Sequence, residues 1–255
     1  MAAILAVHAH PDDIEILAAG TLARLAAGGH RVVIATATAG EGGSDETGPE
    51  ETAAIRRREA AAAAAVIGAE YRCAGFGDLS VFNDDASRRR MTELIRAAAP
   101  DIVLTASPAD YHPDHEAVSQ LARDGCFAAS VPNYRTGPAR PLAAIPHLYF
   151  MDPIGGRDRQ GVRIRPDFGV DIGPVMDAKR RMLEAHESQV AWVARQHGIG
   201  DYLRSMEAWA ERRGRDFGAQ FAEGLRHYRH QPYPNGPALE ALLGEAVLPL
   251  ASWAD

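Results

Sequence analysis

The sequence predicts an α/β fold: a Rossmann-like doubly wound, mostly parallel five-stranded or slightly larger sheet, with helices on both faces and extra C-terminal helices. Short apolar runs alternate with longer segments of helical spacing up to residue 151, and this alternation is typical of βαβ units. Because such crossovers are right-handed, helices cover both faces of the sheet. We expect residues 1–151 to form the α/β core and residues 152–255 to complete the same single domain.

Five apolar runs supply the predicted strands, which are residues 2–8, 31–38, 70–76, 101–106 and 147–151. Segments of helical spacing lie between the strands at residues 15–27, 52–67, 87–98 and 114–128. The second of these segments contains a run of alanines, the strongest helix former. Beyond the core, the sequence predicts helices over residues 175–186, 202–228 and 238–246.

Composition limits the class of protein. The 255 residues, 46% of them hydrophobic, can form a full core, and the net charge of −7 argues against a nucleic-acid partner. No apolar run reaches the length of a membrane span, and no basic segment opens a signal peptide. The two cysteines, Cys73 and Cys126, form neither a disulfide framework nor a CxxC site. A reducing cytoplasmic compartment is therefore predicted, with homo-oligomerisation left open.

Two short clusters of His and Asp follow two of the predicted strands. His10-Pro11-Asp12-Asp13 comes after the first strand, and His112-Pro113-Asp114-His115 comes after the fourth. In a doubly wound sheet of order 3-2-1-4-5, strands one and four are neighbours, and a crevice opens at their carboxyl ends. The fold prediction therefore places the two clusters on either side of one crevice.

The combined clusters have the composition of a catalytic metal site. His10, Asp13 and His115 supply two imidazoles and a carboxylate, which suits zinc with one open position. Fe(II) or another divalent transition metal remains open, because a facial triad uses the same ligand types. Asp12 is then a candidate general base, and His112 is a candidate to stabilise an oxyanion or protonate a leaving amine.

Other polar residues are expected to have supporting roles. We expect His8 to point into the sheet and Glu15 to orient neighbours or cap its helix. The remaining histidines are predicted to be structural; they are His30, His147, His197, His227 and His230. The loop over residues 40–51 is predicted to be a mobile lid, and substrate specificity is expected in this loop, in residues 132–146 and in the late helices.

At these clusters the chain resembles the PIG-L (LmbE-like) family of zinc-dependent de-N-acetylases. Residues 9–15 match the pattern Ala-His-Pro-Asp-Asp-x-Glu, and residues 112–115 match His-x-x-His. Three weaker marks agree with the resemblance: Arg56 with Glu59, Lys179 with the segment His186-Glu187-Ser188-Gln189, and a terminal helix pattern at residues 221–224. The resemblance implies that His10, Asp13 and His115 bind zinc, that Asp12 is the general base, that protonated His112 holds the oxyanion, and that Arg56 contacts the substrate.

The resemblance implies a hydrolase that removes an N-acetyl or similar N-acyl group from an amino-sugar-type small molecule. One alternative is a metal-dependent hydratase or other lyase that acts on a small carboxylic acid with the same scaffold. The intact Pro11-Asp12-Asp13 disfavours it. Another alternative is a non-catalytic metal- or sugar-binding module, which has no need of a base at Asp12 or an oxyanion partner at His112.

Overall fold

One mixed sheet organises the chain in a computed structural model that describes residues 1–197 and 201–251. Its eight strands are β1 (Ala3–His8), β2 (Arg31–Thr38), β3 (Glu70–Phe76), β4 (Ile102–Thr105), β5 (His147–Met151), β6 (Phe168–Asp171), β7 (Ala222–His227) and β8 (Val247–Leu248). They lie in the order β3-β2-β1-β4-β5-β7-β6-β8. The first five pair in parallel, so the order predicted for the five core strands is confirmed.

Helices connect and cover these strands. The α-helices of the described residues are α1 (Asp13–Leu17), α2 (Ala19–Ala27), α3 (Pro49–Ala65), α4 (Asp85–Ala98), α5 (Pro113–Ala129), α6 (Met176–Glu184), α7 (Glu187–His197), α8 (Tyr202–Phe217) and α9 (Ala238–Leu243). In the part of the chain that is described, none of them combines the length and the apolar composition that crossing a membrane requires.

The sheet separates two apolar clusters, which explains the layered arrangement. Ile4 and Ala6 of β1 belong to one cluster, and the alternating residues Leu5 and Val7 belong to the other. Successive side chains of a strand point to opposite faces, so β1 contributes to both. Helices α4 and α5 pack with the second cluster, while α2 and α6 pack with the first. Helices therefore cover both faces, as predicted.

The sheet is larger than the five predicted core strands because residues after 151 add three antiparallel strands, β6, β7 and β8. The prediction of a helix up to residue 228, with a terminal helix pattern at residues 221–224, is wrong. Helix α8 ends at Phe217, where Gly218 adopts a left-handed conformation with φ 74° that closes the helix. The following residues form β7, which pairs with both β5 and β6.

The first helix is also different from the prediction, because it is broken at Ala18 into α1 and α2. The break leaves N–H groups at the start of α2 without partners inside the helix. The carboxylate of Glu223 accepts from the N–H groups of Gly20 and Thr21 at 2.9 and 2.7 Å. A Cβ on Gly20 would lie 2.5 Å from Ile172, so a glycine is needed for this close approach.

Candidate metal centre and active site

The two His/Asp clusters meet at the carboxyl ends of β1 and β4, which pair directly in the sheet. His10, Asp12 and Asp13 lie in the turn after β1 and at the start of α1. His112 caps the N-terminus of α5, where its ring accepts a hydrogen bond from the N–H of Asp114 at 3.1 Å. His115 follows one turn later on the same helix. The predicted meeting of the two clusters is therefore present in the structure.

The ligand atoms of the three predicted metal-binding residues form a nearly equilateral triangle. His10 Nδ1 lies 3.3 Å from Asp13 Oδ2 and 3.3 Å from His115 Nε2, and His115 Nε2 lies 3.4 Å from Asp13 Oδ2. Tetrahedral zinc with bonds of about 2.0–2.1 Å holds its ligand atoms about 3.3–3.4 Å apart. The spacing and the donor set therefore fit a metal ion of this kind.

Neighbouring histidines and carboxylates extend this arrangement. Three sets of described residues have ligand atoms within 4.8 Å of one another: His10 with His112 and His115, His8 with Asp13 and His115, and His10 with Asp78 and Asp114. All three sets share a residue with the predicted ligand triad. They therefore form one continuous cluster around it, with acidic groups on the outer side of His10.

A carboxylate lies beside the second ring nitrogen of each of the two predicted histidine ligands. His10 Nε2 lies 3.1 Å from Asp78 Oδ1, and His115 Nδ1 lies 3.1 Å from Asp110 Oδ1. A carboxylate on the second nitrogen of a metal-binding histidine fixes the ring orientation and the tautomer. Sequence reasoning did not identify Asp78 or Asp110. Asp110 could have been noticed from its position two residues before His112, but Asp78 belongs to a loop with no motif.

His8 contacts the site, contrary to the expectation that it points into the sheet. Its ring is fully buried, and Nδ1 lies 2.6 Å from Asp13 Oδ2. The N–H of His10 donates to the same oxygen at 2.8 Å. Burial alone would raise the pKa of Asp13, but the charges of His115 and His8 and hydrogen bonds from His10 and His8 hold that pKa well below its usual range. Asp13 is therefore ionised, which is the form that binds metals.

Asp12 occupies a strained and buried position beside this cluster. Its φ of 98° lies in the left-handed region, which non-glycine residues rarely adopt. Burial, together with the charge of Asp13, raises the pKa of Asp12 from 3.8 to about 6. The hydroxyl of Tyr202 donates to Asp12 Oδ2 at 2.5 Å and favours the ionised form. Asp12 can therefore take up a proton near neutral pH, as a general base requires.

His112 is half-buried and favours the neutral form. Burial and the charges of His10 and His115 lower the pKa of His112. Because its Nδ1 accepts the Asp114 N–H, the neutral ring carries its proton on Nε2. Nε2–H is then a hydrogen-bond donor without an extra proton. These contacts favour a neutral donor, and a role for the protonated form stays a prediction.

Arg56 lies beneath the loop over residues 40–51. It is buried, and its guanidinium donates to the carbonyl oxygens of Gly40 at 2.6 Å and Gly43 at 2.5 Å. The N–H of Gly42 donates to Asp78 Oδ2 at 3.0 Å. The predicted lid is therefore anchored at its start to Arg56 and to the carboxylate that faces His10. A contact between Arg56 and a substrate stays a prediction.

Two other connections lie at opposite ends of the sheet strands. Residues 132–146 connect α5 to the start of β5, so they lie at the edge of the sheet opposite the two clusters. The expectation that this loop sets specificity is therefore wrong. Residues 152–166 follow the carboxyl end of β5, and Arg159 in this loop forms an ion pair with Glu116 beside the second cluster.

The weaker marks of the resemblance form buried or partly buried pairs behind the site. Lys179 donates to Glu223 at 2.5 Å, the hydroxyl of Ser188 donates to Glu59 at 2.6 Å, and His186 Nε2 lies 3.5 Å from Glu15 Oε1. Glu15 therefore orients a neighbour, as expected. These pairs join segments that are distant in sequence. Tyr202 completes this side of the site, and no sequence signal identified it.

The histidines predicted to be structural lie away from the centre where they are described. His30 Nδ1 accepts the N–H of Ala2 at 3.1 Å, and the ring of His227 stacks on Tyr149 with centroids 4.3 Å apart. His147 and His230 also contact rings outside the site. The side chain of His197 lies outside the described part of the chain.

Comparison with known proteins agrees with this site. The family model PIG-L, described as GlcNAc-PI de-N-acetylase, matches residues 5–126, a range that contains both clusters. The diacetylchitobiose deacetylase of Thermococcus kodakarensis is 28% identical over 239 residues, which cover 88% of this chain and 82% of the relative.

Solved structures share the fold over nearly the whole chain. The N,N'-diacetylchitobiose deacetylase of Pyrococcus horikoshii has a TM-score of 0.76 at 23% identity and covers 91% of this chain and 86% of its own. The 4-carboxy-2-hydroxymuconate hydratase of Pseudomonas putida KT2440 has a TM-score of 0.74 at 26% identity. The match covers 92% of this chain and 100% of the hydratase chain. Residues 5–126, which contain both clusters, match the PIG-L (LmbE-like) family model, so the resemblance seen in the sequence is confirmed for this part of the chain.

Proposed function

We propose that this chain is a metal-dependent amide hydrolase that removes an N-acetyl or similar N-acyl group from an amino-sugar-type substrate. The observation that carries the proposal is the triangle of ligand atoms from His10, Asp13 and His115, with sides of 3.3–3.4 Å, beside a buried carboxylate with a raised pKa, Asp12. The deacetylase relative supports the same reaction. Strands before and after residue 151 share one sheet, which supports a single domain.

His10, Asp13 and His115 would hold the metal. Zinc is proposed because two imidazoles and a carboxylate are typical of catalytic zinc sites, and Fe²⁺ or another divalent transition metal is the alternative. When bound, such an ion supplies Lewis acidity, which polarises an amide carbonyl and lowers the pKa of water. Asp78 and Asp110 keep the two imidazole rings in their binding orientation.

Asp12 carries out the proton transfers. It removes a proton from the water whose oxygen attacks the amide carbon, while the hydroxyl of Tyr202 keeps the carboxylate oriented. His112 donates its Nε2–H to the oxygen on which negative charge develops. The proton held by Asp12 then passes to the nitrogen as the carbon–nitrogen bond breaks. The products are a free amine and a carboxylic acid, acetate for an N-acetyl group.

We propose that Arg56, which lies beneath the loop over residues 40–51, contacts the substrate. Two of its nitrogens hold Gly40 and Gly43, while its buried Nε has no hydrogen-bond acceptor among the described residues. A sugar hydroxyl would satisfy this N–H, since a buried unpaired donor is unfavourable.

The hydratase alternative keeps one specific observation in its favour, which is the 26% identity and TM-score of 0.74 with the hydratase of Pseudomonas putida KT2440. In that case the same centre would act on a small carboxylic acid. Asp12 would still exchange protons, but no amide bond would be cleaved. The two functions therefore differ in their products.

Acetate release distinguishes the two functions. The purified protein is incubated with a panel of N-acetylated amino sugars and with unsaturated small carboxylic acids, first with added zinc and then with a chelator. We expect acetate and free amine from at least one amino sugar, and no release after chelation. Hydration of an acid without any acetate release from the zinc-loaded protein would assign the chain to the alternative.

A further inference from the structure

Three exposed apolar side chains, Leu79, Phe82 and Tyr111, lie on the two loops that follow β3 and β4 at the end of the sheet where the polar centre lies; we call them the mouth residues. Their exposed fractions are 65%, 65% and 58%. Leu79 and Phe82 lie between β3 and α4, and Tyr111 lies between β4 and α5. Exposed apolar groups next to polar ones are common at ligand-binding surfaces.

Hydrogen bonds and ring contacts place two of the mouth residues, Leu79 and Tyr111, next to the cluster. The N–H of Leu79 donates to Asp114 Oδ2 at 2.8 Å, and the same oxygen lies 3.5 Å from His10 Nε2. The ring of Tyr111 lies edge-on to His115, with centroids 5.6 Å apart. Leu79 and Tyr111 therefore flank the candidate metal ligands from two different loops, while their side chains are in solvent.

The backbone of Leu79 is strained, which indicates that its side chain has a role. Its φ of 58° is left-handed, a conformation that is unfavourable for a bulky residue and that glycine or asparagine adopts more readily. The bond to Asp114 and the N–H of Asp78, which donates to Glu41 at 2.9 Å, fix this backbone from both sides. Strain of this kind is concentrated at functional sites.

The core of the protein does not require the side chain of Leu79. Val81 on the same segment is buried and belongs to an apolar cluster, so it anchors the segment. Leu79 and Phe82 point away from that cluster into solvent, with about two thirds of each exposed. Their contribution is therefore to the surface around the site.

We propose that the mouth residues form a subsite for an apolar aglycone, an alkyl or aryl group attached to the N-acylated sugar. The inference rests on the proposed function. Asp12, Asp13 and His115 are buried, so only the reacting amide and its sugar ring reach them, and the remainder of the substrate leaves past the entrance. An apolar group there covers Leu79 and the ring of Tyr111, whereas a second sugar would find only the Tyr111 hydroxyl as a polar partner on these two side chains.

A matched pair of substrates tests the subsite. The kcat/KM for acetate release is measured for the methyl and phenyl glycosides of N-acetylglucosamine, which differ only in the aglycone. We expect the wild-type protein to prefer the phenyl glycoside by about tenfold, which corresponds to partial burial of one apolar side chain. In the Leu79→Asn variant this ratio should fall close to one.

A control and a stability measurement separate this role from a structural one. Phe127 is also exposed, but it lies twelve residues beyond His115 on α5, roughly 18 Å away. The Phe127→Ala variant should keep the wild-type ratio. Because asparagine tolerates a positive φ, Leu79→Asn should unfold at the same or a higher temperature than wild type. Earlier unfolding would indicate that Leu79 has a structural role and would contradict the proposal.

Each further outcome decides between the subsite and the reaction. A wild-type ratio near one, or a ratio that Leu79→Asn leaves unchanged, overturns the subsite and leaves deacetylation intact. Preference for an N-acetylated disaccharide over the phenyl glycoside also overturns it, because the entrance would then bind a sugar. If no glycoside releases acetate, the deacetylase proposal fails. Calorimetric binding of the two glycosides then tests the subsite alone, with about tenfold tighter binding of the phenyl compound expected and equal binding contradicting it.

Discussion

The two sides of the candidate site are built in different ways. The near side consists of two short clusters after β1 and β4, with the residues His10, Asp12, Asp13, His112 and His115. The far side consists of single residues from separate elements. They are Lys179 on α6, His186 just before α7, Ser188 on α7, Tyr202 on α8 and Glu223 on β7. Reacting groups thus come from local turns on neighbouring strands, whereas their support comes from side chains that meet only in the folded chain. This difference suggests that near-side changes alter chemistry and far-side changes alter stability or orientation.

Removal of a metal ligand should have the largest effect. His115 supplies one side of the ligand triangle, so His115→Ala should bind zinc more than about 100-fold more weakly, since even partners of ligands contribute about 10–100-fold. Acetate release should fall to background. Metal content after dialysis and activity are measured together.

His112→Ala is the matched control within the same cluster. Its ring contacts His10 and His115, but we propose that it acts on the oxyanion. Zinc content should stay the same and the rate should fall by about 10²–10³. Equal loss of zinc in both variants would show that His112 is a ligand and would revise the triad.

Replacement of the base should separate metal binding from turnover. Asp12→Asn keeps the three proposed ligands and its neutral amide cannot accept a proton. We expect full zinc content and a rate lower by about 10²–10⁴. Wild-type turnover in this variant would remove Asp12 as the base.

Asp12→Asn should lower turnover but raise the stability of the folded protein. Because the folded state raises the pKa of Asp12 from 3.8 to about 6, the folded protein holds the proton more tightly, and ionisation destabilises it as pH rises through this range. Metal-free Asp12→Asn should therefore be more stable than metal-free wild type at pH 8 by about 3 kcal/mol. Denaturant unfolding at several pH values should show the gain disappear below about pH 4.

The hydroxyl of Tyr202 tests whether the far side affects the chemistry through orientation. It donates to Asp12 and favours the ionised carboxylate, so Tyr202→Phe should raise the pKa of Asp12. The acid limb of the kcat/KM profile should then move to higher pH, with a loss of about tenfold at pH 6 and less at pH 8. A uniform loss at all pH values would assign Tyr202 a role other than control of Asp12.

The buried pair of Lys179 and Glu223 should have the smallest effect on turnover. Lys179→Met leaves the carboxylate of Glu223 without its cation in a position where both side chains are almost fully buried, which should destabilise the protein by about 3–5 kcal/mol. The kcat of the folded fraction should stay within about twofold. A large loss of kcat without loss of stability would contradict the account in which the far side supports the fold and the near side carries the chemistry.

The near side could be predicted because its signals are local. Apolar runs identified β1 and β4, and the strand order of a parallel sheet placed their carboxyl ends together. The spacing within each cluster then indicated a metal site. His8 was assigned the wrong direction because the alternation of a strand does not reveal that Asp13 folds back to the last residue of β1.

The far side could not be predicted, since no short-range pattern encodes it. The segment around Glu223 has helical residues on its N-terminal side, and only the glycine closure after α8 and pairing with β5 and β6 make it a strand. Tyr202 reaches Asp12 across 190 residues of chain. Contacts of this kind depend on the packing of the added helices, and a single sequence contains no spacing from which to infer them.

Titration of metal-free protein with zinc tests the central claim most directly. Acetate release from a responsive N-acetylated sugar is measured against zinc equivalents for wild type and Asp12→Asn, with bound zinc determined in the same samples. The account predicts that wild-type activity rises to a maximum at one equivalent per chain, and that Asp12→Asn binds the same equivalent without comparable turnover. Full activity in chelated protein, or equal turnover by the variant, would contradict the claim that the two clusters form one metal centre with Asp12 as its base.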